Sequence, residues 1–216
     1  MDSLTLQDRI NRGQGRAARH IGAPHDLLRP ANTLEPLAPA NRILKLHAQF
    51  LPLGGRHTHP VVFGENMWEG IFDAAYTRPG DLLRNIDNGT VHFIAAQQPL
   101  LPVLCVHAAR RLAISRAAAA STPGLNAYGA TVTATETVLA SFWPAAIVVG
   151  GGQGTGQSGI AADIPSGTWQ VLLPVSLNVT LRIGDRLTDD LGRIAVIGST
   201  ELTDLGWRLQ AQQANT

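Results

Sequence analysis

Arg78-Pro-Gly-Asp-Leu-Leu83, a polar stretch to Gly89 and the apolar run Val91-His-Phe-Ile-Ala95 form a phrase that the chain uses twice. It returns as Arg182-Ile-Gly-Asp-Arg-Leu187, Thr188-Asp-Asp-Leu-Gly192 and Ile194-Ala-Val-Ile197. In both copies a Gly-Asp opens a strand, a polar turn containing glycine follows, and a second apolar strand comes back. Glycine supplies the positive-φ position of such a turn, and aspartate bonds its own backbone near the bend. The repeat predicts a mainly β protein built from two related modules, as β-sandwiches or barrels. It also assigns these glycines and aspartates to bending backbone.

Around the two phrases, short apolar segments alternate with turn signals, as in sandwiches and barrels. Strands are expected at 42–50, 68–72, 81–85, 91–96, 101–107 and 111–115 in a first module spanning 42–116. The run Ala117-Ala-Ala-Ala-Ser-Thr-Pro-Gly124 is read as a hinge over 117–127. A second module spans 128–212, with strands at 129–135, 137–142, 146–150, 168–173, 180–183, 186–188, 194–199 and 206–212.

The N-terminal 41 residues have a different character. Leu6, Ile10, Ala17 and Ile21 recur on one side of a helical wheel, and Arg9, Arg12, Arg16 and Arg19 on an adjacent stripe. This pattern predicts an amphipathic helix with a basic face, weakened by Gly13 and Gly15. Pro24, Pro30, Pro36 and Pro39 then mark residues 22–41 as an extended Pro-rich arm without an element of its own.

Composition narrows the function classes. The 216 residues can bury a substantial core, yet only 15% are charged, as suits a surface covered by partners. The net charge of +1 gives no overall field for nucleic acid. Lys45 stands alone beside sixteen arginines, a bias of the kind a GC-rich genome produces. Cys105, the single cysteine, lies in the apolar run 100–106 and is expected to be a buried structural thiol. No apolar leader segment is evident at the N-terminus, and no apolar run reaches the length of a membrane span, so no membrane partner is expected.

No constellation of chemical residues exceeds chance. Gly154-Thr-Gly-Gln-Ser-Gly159 satisfies a dinucleotide fingerprint, but the following sequence, Ile160–Gly167, is not expected to supply a helix of useful length to present amides to a phosphate. His57-x-His59 with Glu65 lacks a complete metal ligand set. Asp185, Asp189 and Asp190 lack the spacing of a calcium loop and read as turn acids. Ser158 is in no nucleophile elbow. The expectation is therefore no enzyme, no catalytic residue, no cofactor and no metal. Trp68, Trp143, Trp169 and Trp207 are core anchors by default. Trp207 is the one expected at a subunit contact, as Arg9, Arg12, Arg16 and Arg19 are for a partner-docked helix.

Three stretches carry a resemblance to a known group. Met67-Trp-Glu-Gly-Ile-Phe-Asp73, Arg78–Leu82 with Val91–Val103, and Gly167–Pro174 with Gly184–Gly192 and Glu201–Trp207 resemble structural proteins of tailed-bacteriophage morphogenesis clusters. They are most similar to small β-rich neck proteins, the head–tail connectors, adaptors and completion proteins. Asn11–Pro30 is similar to the openings of the same proteins. The resemblance rests on turn chemistry and strand patterning and covers most of the chain. It implies a ring-forming virion subunit, assembled in the bacterial host cytoplasm, that joins the capsid portal to the tail. The implied partners are copies of itself, portal, adaptor and tail proteins, and transiently the passing DNA. Two other classes remain open: a tail-tip or baseplate protein that binds the host surface, and a metal-dependent hydrolase around His57, His59 and Glu65.

Overall fold

A computed structural model describes residues 2–53, 65–117, 136–150 and 167–214. One helix, α1 (Ser3–Ile21), precedes twelve strands. The first six are β1 (Ala23–Leu28), β2 (Arg42–Pro52), β3 (Met67–Ile71), β4 (Leu82–Asn85), β5 (Val91–Ala96) and β6 (Val103–Ala108). The second six are β7 (Arg110–Ala117), β8 (Glu136–Gly150), β9 (Thr168–Leu173), β10 (Arg186–Asp189), β11 (Ile194–Thr203) and β12 (Gly206–Gln213). Each set closes into an antiparallel barrel. The first runs β1-β2-β3-β6-β5-β4 around its circumference, and the second runs β7-β8-β9-β12-β11-β10. The order is identical, so the repeated phrase is the visible part of a repeated barrel.

Closure corrects the sandwich alternative. β1 pairs with β4 as well as β2, and β7 with β10 as well as β8, so neither sheet has a free edge. β1 also corrects the reading of residues 22–41 as an arm without structure. Pro24 sits near the start of β1 and Pro30 beyond its end, where a missing N–H costs no ladder bond. The strand at 111–115, expected in the first module, is the first strand of the second barrel. Only Ala109 separates β6 from β7. The segments expected at 137–142 and 146–150 are one long strand, β8, which bends where Phe142 takes φ +57°. Residues 180–183 form no strand but lead into the Gly184 turn. The strand expected at 129–135 and most of the expected hinge lie outside the described residues.

The Gly-Asp phrase is a turn locked from three sides. The Asp81 N–H donates to Arg78 O (3.1 Å), with Pro79 and Gly80 (φ +89°) at the central positions, the pattern of a type II turn. Gly80 N–H donates to Ile94 O (2.8 Å), and Ile94 N–H donates back to Asp81 O (2.9 Å). The Asp81 carboxylate accepts from Arg78 N–H (3.0 Å) and from Nε and Nη2 of Arg29 (2.8 and 2.7 Å). In the second barrel Asp185 repeats every bond, with Arg182 N–H at 2.8 Å and Arg116 Nε and Nη2 at 2.7 and 2.8 Å. Even the spare guanidinium bond repeats, to Tyr76 O from Arg29 and to Thr180 O from Arg116. Burial alone would raise the Asp185 pKa, but the Arg116 guanidinium and the Arg182 amide outweigh it and hold it below the ordinary carboxylate value.

Two of the three apolar cores fill the barrel interiors, and the third lies between the barrels. Residues on β4–β6 that face out of the first barrel, among them Leu82, Phe93 and Val106, pack against Ala146 and Leu172 of the second. Polar bonds pin the seam: Ser176 Oγ donates to Gly80 O (2.6 Å), and Trp143 Nε1 donates to Thr33 O (2.6 Å). Gly80 and Gly184 share a φ near +90°, but only Gly80 is crowded. A Cβ there would lie 2.9 Å from Ser176 Cβ, whereas one at Gly184 meets nothing within 4 Å.

Gly184→Ala is expected to cost about 1–2 kcal/mol, the left-handed-backbone penalty alone. Gly80→Ala should cost on the order of 1–3 kcal/mol more, because it also wedges the seam; urea denaturation of the two variants measures the difference. Arg29→Met should lower stability by on the order of 2–4 kcal/mol in the same assay, since it leaves the Asp81 carboxylate buried without its guanidinium.

Candidate functional site at the polar end of the first barrel

Alternation along the strands decides what each barrel encloses. At one end of the first barrel the inward residues are Leu27, Leu83, Ile94, Val103 and Cys105, all buried. Burial pushes the Cys105 thiol pKa up, so this thiol is structural, as its apolar context predicts. Toward the other end the same strands turn polar and aromatic. His25, Phe50, Trp68, Asn85, His92 and His107 surround a cavity of about 260 Å³.

His92 is the centre of this group. It is 8% exposed, stacks on Phe50 (centroids 3.7 Å apart, planes 8° apart) and lies 5.0 Å from the His107 ring. Trp68 meets it edge-on at 6.4 Å, and His25 meets Phe50 edge-on at 5.5 Å. The His25 ring sits with Nδ1 2.8 Å from Ala23 O; Nδ1 therefore carries the proton, leaving Nε2 as an acceptor in the neutral ring. Within this group two buried polar atoms, His92 Nδ1 and Trp68 Nε1, find no hydrogen-bond partner among the described residues. Burial, reinforced by His107 and His25, lowers the His92 pKa to about 3. Burial also lowers His25 and His107, against the opposing pull of Asp87 on His25. All three rings therefore favour the neutral form more strongly than an exposed histidine does.

The second barrel gives an internal comparison. Strand register maps Trp68 onto Trp169, Asn85 onto Asp189, His92 onto Ala195, His107 onto Gln213, His25 onto Leu112 and Phe50 onto Ile147. There the equivalent groups are paired within the protein. Trp169 is fully buried and its Nε1 donates to Gln213 Oε1 (3.2 Å). Arg193 lies over the Trp169 ring at 5.0 Å and donates to Asp189 (2.8 Å). Asp189 also accepts from the N–H groups of Leu191 and Arg193, which is the turn role read from the sequence.

The residues singled out in the sequence lie elsewhere. Helix α1 packs on the first barrel through Gln7, Ile10, Asn11, Gln14 and Ala18, with Gly15 allowing a close approach to Asp73. Leu6 and Ile21, expected on the packed face, are exposed. Arg12, Arg16 and Arg19 line a groove of about 490 Å³ between α1 and β2, together with Lys45 and Asp73. Arg9 is exposed on the same helix. Trp207 is 8% exposed, and its Nε1 donates to Leu177 O (3.3 Å) within the second barrel. His57, His59, Ser158 and the Gly154–Gly159 run lie outside the described residues. Among the described residues no cluster of His, Cys, Asp or Glu has the arrangement of a metal site, and no helix is long and apolar enough to cross a membrane. The chain matches no known protein-family model, no curated protein and no solved structure.

The buried histidines tie stability to pH. The unfolded chain protonates histidine near its ordinary value of 6.5, while folded His92 stays neutral down to about 3. Between these values the unfolded state binds more protons, so stability falls as pH falls, by at most about 1.4 kcal/mol per pH unit for each such group. The urea midpoint is expected to drop from pH 6.5 to 4.5, and His92→Phe, which keeps the stack on Phe50, should flatten that slope.

Proposed function

We propose that this chain is a non-enzymatic structural subunit of a tailed-phage virion, a ring-forming head–tail connector that joins the portal to the tail and lines the DNA passage. The observation that carries the reading is its outer surface. Val138 and Phe142 on β8, Ile183 beside the Gly184 turn and Leu202 on β11 are 56–72% exposed. Contacts with neighbouring subunits would bury these side chains. Within the chain the same solution is already in use, because the two barrels are joined by apolar residues on their outer faces. Phe142 reaches solvent from a positive-φ position, a backbone cost that needs a compensating role.

Three further features support the reading. The phage-like phrases Arg78–Asp81 and Arg182–Asp185 serve as structural locks in both barrels. The Arg12, Arg16 and Arg19 face of α1 offers cations to an acidic neighbouring protein or to passing phosphates. Closed barrels leave no strand edge for open-ended pairing, so contacts between copies would run through side-chain faces, and such contacts form a ring where their rotation closes.

Negative-stain images and sedimentation of the purified full chain test the assembly. A closed ring is expected, and Phe142→Ser with Ile183→Ser should yield soluble monomer with stability changed by less than about 0.5 kcal/mol. Mass spectrometry of purified particles should find the chain at a fixed multiple per virion. A wild-type chain that stays monomeric at high concentration and is missing from particles would overturn the reading.

A further inference from the structure

We propose that the polar end of the first barrel, framed by His25, Phe50, Trp68, Asn85, His92 and His107, is a binding site for a small, uncharged, planar amide or cyclic amide. This goes beyond the assembly role and does not depend on it.

Three observations converge. The first is an opening of about 260 Å³, just under the range of drug-sized sites and suited to a single ring with one substituent. Second, buried polar atoms are nearly always paired, yet His92 Nδ1 and Trp68 Nε1, on rings 6.4 Å apart, have no hydrogen-bond partner among the described residues. Third, the second barrel pairs the equivalent indole within the protein. There Gln213 takes the Trp169 indole N–H, and Arg193 covers the ring. At the positions of Gln213 and Ala195 the first barrel carries His107 and His92, and its buried indole N–H has no partner among the described residues.

The lining specifies the ligand. Its walls are ring faces, which favour a flat molecule. The Trp68 indole can only donate, so the ligand presents an acceptor there. In the neutral ring His92 Nδ1 can accept, so the ligand presents an N–H beside that acceptor. A carbonyl next to an N–H, in one plane, is an amide. Among the described residues no carboxylate or guanidinium lines the opening, and burial favours the neutral form of the histidines, so a charged ligand would enter uncompensated.

Nicotinamide and its anionic counterpart nicotinate, which differ in charge but not in ring, separate the possibilities. Each is titrated at pH 7.5 into the full chain labelled with 15N on tryptophan and histidine. Nicotinamide is expected to shift the Trp68 indole and His92 ring signals with a dissociation constant of roughly 1 mM or tighter, a fragment's affinity. The Trp169 indole should not move. Trp68→Phe and His92→Phe, which retain the aromatic walls, should each weaken binding at least roughly tenfold, the loss expected when a ligand's polar group is left unpaired. Nicotinate should bind at least roughly tenfold more weakly, since no cation receives it. Nicotinate binding as well as nicotinamide would overturn the assignment in favour of an anion site. Neither compound moving the Trp68 signal at 20 mM (roughly twentyfold above the expected constant) would overturn it in favour of a hydrated end with no ligand. Equal shifts at Trp68 and Trp169 would overturn it as non-specific association.

Discussion

A carboxylate buried at the head of a strand, gripped by a guanidinium from another strand or its end, holds this architecture together twice. Asp81 and Asp185 are each 1% exposed, and each takes a two-pronged bond from an arginine of the barrel's first strand or its edge. The strand that follows the aspartate is hydrogen-bonded to that first strand, and these two strands close the barrel. The clamp therefore sits on the closing seam. Paired charges are costly to desolvate and are poor evidence of stability in themselves. Their value here is geometric, since a planar fork on a carboxylate fixes distance, angle and register together. Once that register is set, alternation places Leu83 and Leu187 inside and sends Leu82 outward to the seam between barrels.

Duplication of so constrained a unit leaves freedom only where the clamp does not reach. The two barrels agree bond for bond around Gly80 and Gly184 and diverge at the opposite end. One keeps histidines and an unpaired indole; the other fills the same positions with leucine, alanine, glutamine and an arginine-covered tryptophan. The pair thus works as a controlled experiment that the chain carries out on itself. Common residues report what the fold requires, and differing ones report what each copy has been adapted to do.

Much of this was legible in the sequence, for definite physical reasons. The Arg-x-Gly-Asp phrase is local turn chemistry, confined to four residues, so both copies were visible and their turn role was correct. Its partners were hidden: Arg29 and Arg116 lie 52 and 69 residues before their aspartates, and nothing local marks them among sixteen arginines. β1 was masked by prolines that flank or open it without breaking a ladder bond. The helix was read correctly as a helix, but its packed face was misplaced. Gln7 and Asn11 make polar contacts that hydrophobic periodicity does not count, among them Leu100 N–H to Gln7 Oε1 at 2.6 Å. The histidine-lined end was missed because its members come from six strands. The available signal was narrow: His25 and His92 each sit two residues from a core position, Leu27 and Ile94, and therefore point the same way.

Ala109 alone carries the chain from β6 into β7. So short a bridge leaves no slack for the halves to separate, and the outer wall of one is the inner lining of their shared joint. Neither half is a portable part: cutting at Ala109 would bare Phe93, Val106 and Ala146 to water and strip Gly80 O of the Ser176 hydroxyl. Two barrels joined this way move as a single block.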